Sequence, residues 1–153
     1  MAERRTYKDL EIWQLGIELA VEVYKLTSEF PKSEQFGLTS QMRRAAVSIP
    51  ANIAEGYGRS SDRNLANFVR IARGSLAELE THIELSIRLG FVTEEQTKPV
   101  TNLFGVVGRK TYMFLKAIDP SSIREAMVEF NAVPNSASEA SDSSSESQQS
   151  KSQ

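Results

Sequence analysis

Cysteine is absent from the 153 residues and histidine occurs once. Without cysteine there is no disulfide framework and no thiol chemistry. A single histidine leaves too few ligands for a zinc site built from Cys and His. No run of about 18 apolar residues occurs, so no membrane-spanning helix is expected. The opening residues, MAERRTYKDLEIW, lack the continuous apolar core of a secretory signal. A cytoplasmic protein without membrane attachment is the expectation. A nucleophile–base motif and a phosphate-cradling glycine loop are also missing, so neither enzymatic activity nor a cofactor is expected.

Charge is scarce in net terms and uneven in distribution. The chain carries 18 Lys+Arg against 20 Asp+Glu, a net charge of −2. Residues 1–119 hold 16 basic and 15 acidic groups, net +1, and residues 120–153 hold 2 and 5, net −3. A near-neutral body is not the footprint of a strong nucleic-acid binder, though it allows a local basic patch. From 135 to 153 the sequence reads NSASEASDSSSESQQSKSQ, with nine Ser in 19 positions and no large apolar residue. Such a segment cannot offset its ordering entropy by burial, and it is expected to be disordered. The domain plan is therefore a helical domain at 1–119, a linker or partial helix at 120–134, with a short helix over 122–130, and a Ser-rich tail at 135–153.

What is present is helical periodicity. Four long helices are expected, at about 7–30, within 33–57, from 60 or 61 to 89, and from 93 to 118. The first carries two apolar stripes, Trp13/Ile17/Ala20/Tyr24 and Leu15/Leu19/Val23/Leu26/Phe30. One stripe suffices for a bundle, so the other is expected to meet another subunit. Leu15, Leu19, Val23 and Leu26 are the interface candidates, although the two stripes are equally apolar. The second helix has Ser33 or Thr39 as a candidate cap, a kink at Pro50, and Gly56 and Gly58 at its end. The third is capped by Ser60 or Ser61 and stops at Gly90. The fourth opens on a Thr93–Gln96 capping box. Together they predict an all-α, antiparallel up-and-down four-helix bundle.

Residues 41–56, QMRRAAVSIPANIAEG, resemble one family closely. So do Gly58-Arg59, Ile71-Ala72-Arg73-Gly74-Ser75, Glu78-Leu79-Glu80, Leu10-x-x-Trp13-Gln14 and Phe36-Gly37-Leu38. The family is that of bacterial four-helix bundle proteins encoded within intervening sequences of large-subunit ribosomal RNA genes. The resemblance spans residues 7–118, which is 112 of 153. It implies a homopentameric ring. A more distant similar group, the accessory proteins of diversity-generating retroelements, implies binding to a reverse transcriptase and to nucleic acid. The family carries no settled activity, and the Ser-rich tail lies outside its pattern.

Two sets of residues are functional candidates. Residues 41–75 contain Arg43, Arg44, Arg59, Arg63, Arg70 and Arg73 against Glu55 and Asp62, net +4. Guanidinium forks suit phosphate oxygens. For Arg43, Arg44 and Arg73 the favoured alternative is pairing with Glu78, Glu80 or Glu84 within the bundle or across an interface. The second set is Pro50, Asn52, Glu55 and Gly56, read first as a kinked, closely packed helix with a local polar network and second as a ligand site. A di-iron carboxylate centre fails, because its Glu-x-x-His pairs are missing; His82 is expected on the helix surface or at an interface. Gly105 and Gly108 are expected to mark a close helix contact. Two functions follow: a non-enzymatic oligomer that binds RNA or other nucleic acid through its arginines, or a protein-interaction scaffold that docks a partner such as a reverse transcriptase.

Overall fold

The periodic stretches fold into four α-helices, α1 Glu11–Thr27, α2 Leu38–Gly58, α3 Asp62–Arg88 and α4 Glu94–Ile118. This computed structural model describes residues 5–119 and residue 121, and no strand occurs among them. The expected helix over 122–130 and the tail at 135–153 lie outside the described residues.

Local chemistry sets the helix ends. Thr6 and Asp9 form a capping box around a 3-10 turn, Tyr7–Asp9, and Leu10 is extended, with φ −75° and ψ 123°. The helix expected from residue 7 therefore starts at Glu11. It ends at Thr27 rather than 30. Neither Ser33 nor Thr39 caps α2. Ser33 lies in a second 3-10 turn, Lys32–Glu34, and Thr39 is buried inside the helix. The Leu38 N–H donates instead to the Glu34 carboxylate at 2.9 Å. Ser61 caps α3, accepting from the Asn64 N–H at 3.2 Å. Gly90, at φ +75°, ends that helix region as expected. Thr93 and Gln96 cap α4 reciprocally, at 3.2 and 2.9 Å.

The helices pack in chain order, each against two neighbours, with α4 returning to α1. Residue pairings show that neighbours run antiparallel. Along α1 and α2, Gly16 meets Pro50 while Thr27 meets Arg43. Along α2 and α3, Ser48 bonds Ser75 while Gly56 meets Leu65 and Phe68. Along α3 and α4, Arg70 meets Asp119 while Arg73 meets Gly108. Leu19, Met42, Ile53, Val69, Leu79 and Val107 are fully buried between them. Each such side chain removed from water contributes roughly 1.5–3 kcal/mol.

The interface candidates on α1 prove to be core residues, contrary to expectation. Leu19 and Val23 are fully buried in the chain's own core, Leu26 is buried, and Leu15 packs against that core. Contacts with α2 and α4 consume this stripe, so it is not free to meet a second subunit. Ile17, Val21 and Tyr24, at i, i+4 and i+7, remain exposed instead.

Pro50 and Gly56 serve close packing. A Cβ on Gly16 would lie 3.3 Å from the Pro50 Cβ, so α1 rides directly on the proline ring. A Cβ on Gly56 would meet the Phe68 Cβ at 2.6 Å and the Leu65 Cα at 3.2 Å. Gly56 therefore lets α3 touch the α2 backbone rather than ending α2, which continues to Gly58. Among the described residues no buried side-chain polar atom lacks a partner.

Candidate nucleic-acid interface

The fold divides the six arginines into three situations. Arg73 is tied into the bundle. Its Nη1 donates to the Gly108 carbonyl at 2.9 Å and to Thr111 Oγ1 at 3.2 Å, and its guanidinium lies 5.7 Å from the Tyr112 ring centre. Arg43 is likewise held, donating from Nε to Thr27 Oγ1 at 2.9 Å with its guanidinium 4.5 Å above Tyr24. Neither pairs with Glu78, Glu80 or Glu84. Glu78 faces His82 at 3.5 Å and Glu84 pairs with Arg88 at 2.6 Å. The expected carboxylate partners all lie on α3, and i, i+4 neighbours on that helix reach Glu78 and Glu84. Hydroxyl, carbonyl and aromatic groups hold these two arginines in their place.

Arg44 lies in the second situation. It is exposed and lines a shallow hollow of about 460 Å³ with Tyr24, Phe36, Arg43 and Val47. Phe36 is 90% exposed there. Arg44 on α2 and Arg59, which follows the last residue of α2, are fifteen positions apart, about 22 Å at 1.5 Å per residue. Arg43 and Arg44 therefore do not join the arginines at the far end of α2.

The third situation is the α2–α3 turn. Ser60 adopts φ +58°, in the left-handed region, and reverses the chain between Arg59 and the Ser61 cap. Arg59 sits 5.3 Å from the Phe68 ring centre and pairs with Glu55 at 2.8 Å, both side chains more than half exposed. Such a pair contributes about 0.3–0.5 kcal/mol and yields readily to a competing anion. Arg63, Asn67 and Arg70 follow at i, i+4 and i+7 on one face of α3. With Ile118, Asp119 and Ser121 they line a groove of about 650 Å³. Arg70 donates from Nη1 to Asn67 Oδ1 at 2.9 Å and from Nη2 to Asp119 Oδ2. Arg63 is exposed and makes no ion pair among the described residues.

Sequence spacing missed two members of this site. Asn67 carried no signal beyond helical spacing. Asp119, 49 positions from Arg70, is brought in by the antiparallel return of α4. Hydrogen bonds from the Ser121 hydroxyl and the Arg70 guanidinium hold its carboxyl below the ordinary value of 3.8. Asn52 and Glu55 do not converge on a ligand position. The Asn52 amide donates back to the Ser48 carbonyl at 2.7 Å and Glu55 pairs with Arg59. Gly108 offers its carbonyl to Arg73, and a Cβ there would meet nothing within 4 Å, so it marks no close helix contact. His82 is half-buried on α3. Among the described residues no group of three or more potential metal ligands gathers, and no helix is long and apolar enough to cross a membrane.

The model of the 23S rRNA-intervening sequence protein family matches residues 8–112. The chain belongs to that family. The match covers the Arg43–Gly56 run and all three turn arginines. A crystal structure from Bacteroides thetaiotaomicron, of a protein with unknown function from the S23 ribosomal protein family, is similar to this chain. The two are 27% identical, with a TM-score of 0.61 over 69% of this chain and 98% of that one. No curated protein matches the chain. As a 23S rRNA-intervening sequence protein, it shares its described helical fold with that relative, and its residues beyond 112 lie outside the family match.

Proposed function

We propose that this protein is a non-enzymatic cytoplasmic oligomer that binds RNA through the edge formed by Arg59, Arg63, Asn67 and Arg70. The observation that carries this reading is the Arg63–Asn67–Arg70 face. It places two guanidinium groups and an amide along one groove wall, with one of the arginines unpaired among the described residues. Phosphate oxygens would take Arg63 directly and would compete with Asp119 for Arg70. Arg59, above Phe68, offers both a charge and an aromatic edge beside it. Binding of this kind is dominated by phosphate, reads bases weakly and is salt-dependent. In a ring of five subunits the edge would be repeated, raising avidity without new contacts. Ultraviolet crosslinking to a bound hairpin RNA, followed by peptide mapping, should place crosslinks within residues 59–70. Crosslinks confined to the hollow around Arg44 would remove this site.

A second reading has its own observation. Ile17, Val21 and Tyr24 on α1 lie exposed, and Tyr24 shares a hollow with Phe36 and Val47. An apolar surface of this kind suits assembly of subunits or docking of a partner protein. We assign self-association to it, in place of the buried Leu19 stripe. The scaffold reading gains if a specific protein co-purifies at physiological salt while RNA does not.

A further inference from the structure

The end of α4 brings an anion of the chain's own to the arginine groove. Asp119 seats its carboxylate on Arg70, and Ser121 forms part of the same groove wall. From that wall the chain continues for the 32 residues 122–153, which hold five acidic and two basic groups, net −3. Residues 1–119 carry the opposite balance, net +1, and Arg63 in the groove is exposed without an ion pair among the described residues. We propose that the acidic, Ser-rich segment at 135–153 is an intramolecular occupant of the Arg63–Asn67–Arg70 groove. The proposal rests on reading that groove as a site for anionic chains, and it makes any external polyanion a competitor of the protein's own tail.

Three arguments support it. The first is the tether. Glu139 lies eighteen positions beyond Ser121, a span of at most roughly 60 Å at about 3.3–3.6 Å per residue. That length returns easily to a groove it starts in, and such a tether supplies an effective concentration on the order of mM. Weak local affinity is then enough for occupancy. The second is chemistry. The segment has no large apolar residue, so it has nothing to bury and offers carboxylates and hydroxyls instead. Arg70 already binds a carboxylate in this position, through Asp119. The third is consistency with net charge. A near-neutral body whose exposed groove arginine has a counter-charge tethered nearby would discriminate against weak polyanions and yield to strong ones. Such a contact is screened by salt, because the Debye length falls to about 3 Å at 1 M.

The absence of cysteine makes the test direct, since a nitroxide attached through Ser145→Cys is unique in the full chain. At low salt it should broaden the backbone amide signals of Arg63, Asn67 and Arg70 and leave those near Arg44 sharp. The broadening should vanish at 1 M salt and in the chain that also carries Glu139→Gln, Asp142→Asn and Glu146→Gln. Absence of selective broadening at low salt overturns the proposal. A labelled hairpin RNA supplies the second arm, and the neutralised chain should bind it roughly 3–10-fold more tightly at low salt. If the broadening is present but both chains bind RNA equally or not at all, the tail contact stands and the RNA site assigned above fails.

Discussion

Arg73 and Arg63 lie ten residues apart on the same helix and do opposite work. Arg73 is half-buried, bonded to a carbonyl and a hydroxyl of α4 and stacked near Tyr112. Arg63 is exposed beside a groove and has no ion pair among the described residues. The identity of the side chain is the same, so the difference comes from what the fold offers it. Arg73 faces the α3–α4 seam, where the Gly108 carbonyl and the Thr111 hydroxyl accept from it. Arg63 is in the first turn of α3, before that seam closes. The number of arginines thus overstates the charge free to meet a partner, because Arg43 and Arg73 are structural parts of the bundle.

That contrast can be broken by substitution. The largest effect is expected from Arg59→Glu with Arg63→Glu. RNA affinity should fall at least about 100-fold while helicity, read by circular dichroism, stays unchanged, because both positions are exposed and phosphate contacts dominate. Equal affinity would show that the turn is not the site. Arg73→Ala should reverse the pattern. It leaves the Gly108 carbonyl without this donor, and thermal or urea unfolding should show a loss of about 1–3 kcal/mol with RNA affinity little changed. Gly56→Ala should cost about 1–3 kcal/mol, since the added methyl meets Phe68 and Leu65. Because Phe68 also underlies Arg59, this change should weaken RNA binding modestly as well. Arg44→Glu should alter RNA affinity less than about threefold, as expected for a charge farther away than the Debye length of about 8 Å.

The smallest effect concerns protonation. The Asp119 carboxyl is depressed in the folded chain, so its contribution is present above the ordinary value of 3.8 and is lost as pH falls through the lower folded value. A carbon-detected titration should place the Asp119 carboxyl below the ordinary value of 3.8. Arg70→Ala should move it partway back up, with the Ser121 hydrogen bond holding the remainder. An unmoved titration would mean that Arg70 does not perturb it.

Much of the fold was legible in the sequence because its signals are local. The Thr93–Gln96 box, the Ser61 cap and Gly90 each mark an end within three or four residues of itself. The membership of the family was legible too, from the run around Pro50. What stayed hidden depends on contacts across the bundle. The two stripes of α1 are equally apolar, and periodicity does not say which one α2 and α4 cover; the covered one holds Leu19 and Val23. Gly56 reads in sequence as a helix stop, and its use as a contact point requires Phe68 of the next helix. Asp119 gave no sign of its partner because the pairing exists once α4 has returned alongside α3. Glu78, Glu80 and Glu84 were expected to pair with Arg43 and Arg73, but helical neighbours at i, i+4 hold two of those carboxylates.

The central claim is that Arg59, Arg63 and Arg70 form a phosphate-binding edge. Its most direct test is the affinity of the full chain for a labelled hairpin RNA across a salt series, run beside Arg63→Ala. The account predicts a straight, negative dependence of log affinity on log salt. In the variant the slope should be shallower by about 0.7–0.9 for each phosphate that is no longer neutralised. No binding at low salt, or a slope unchanged by Arg63→Ala, would contradict it.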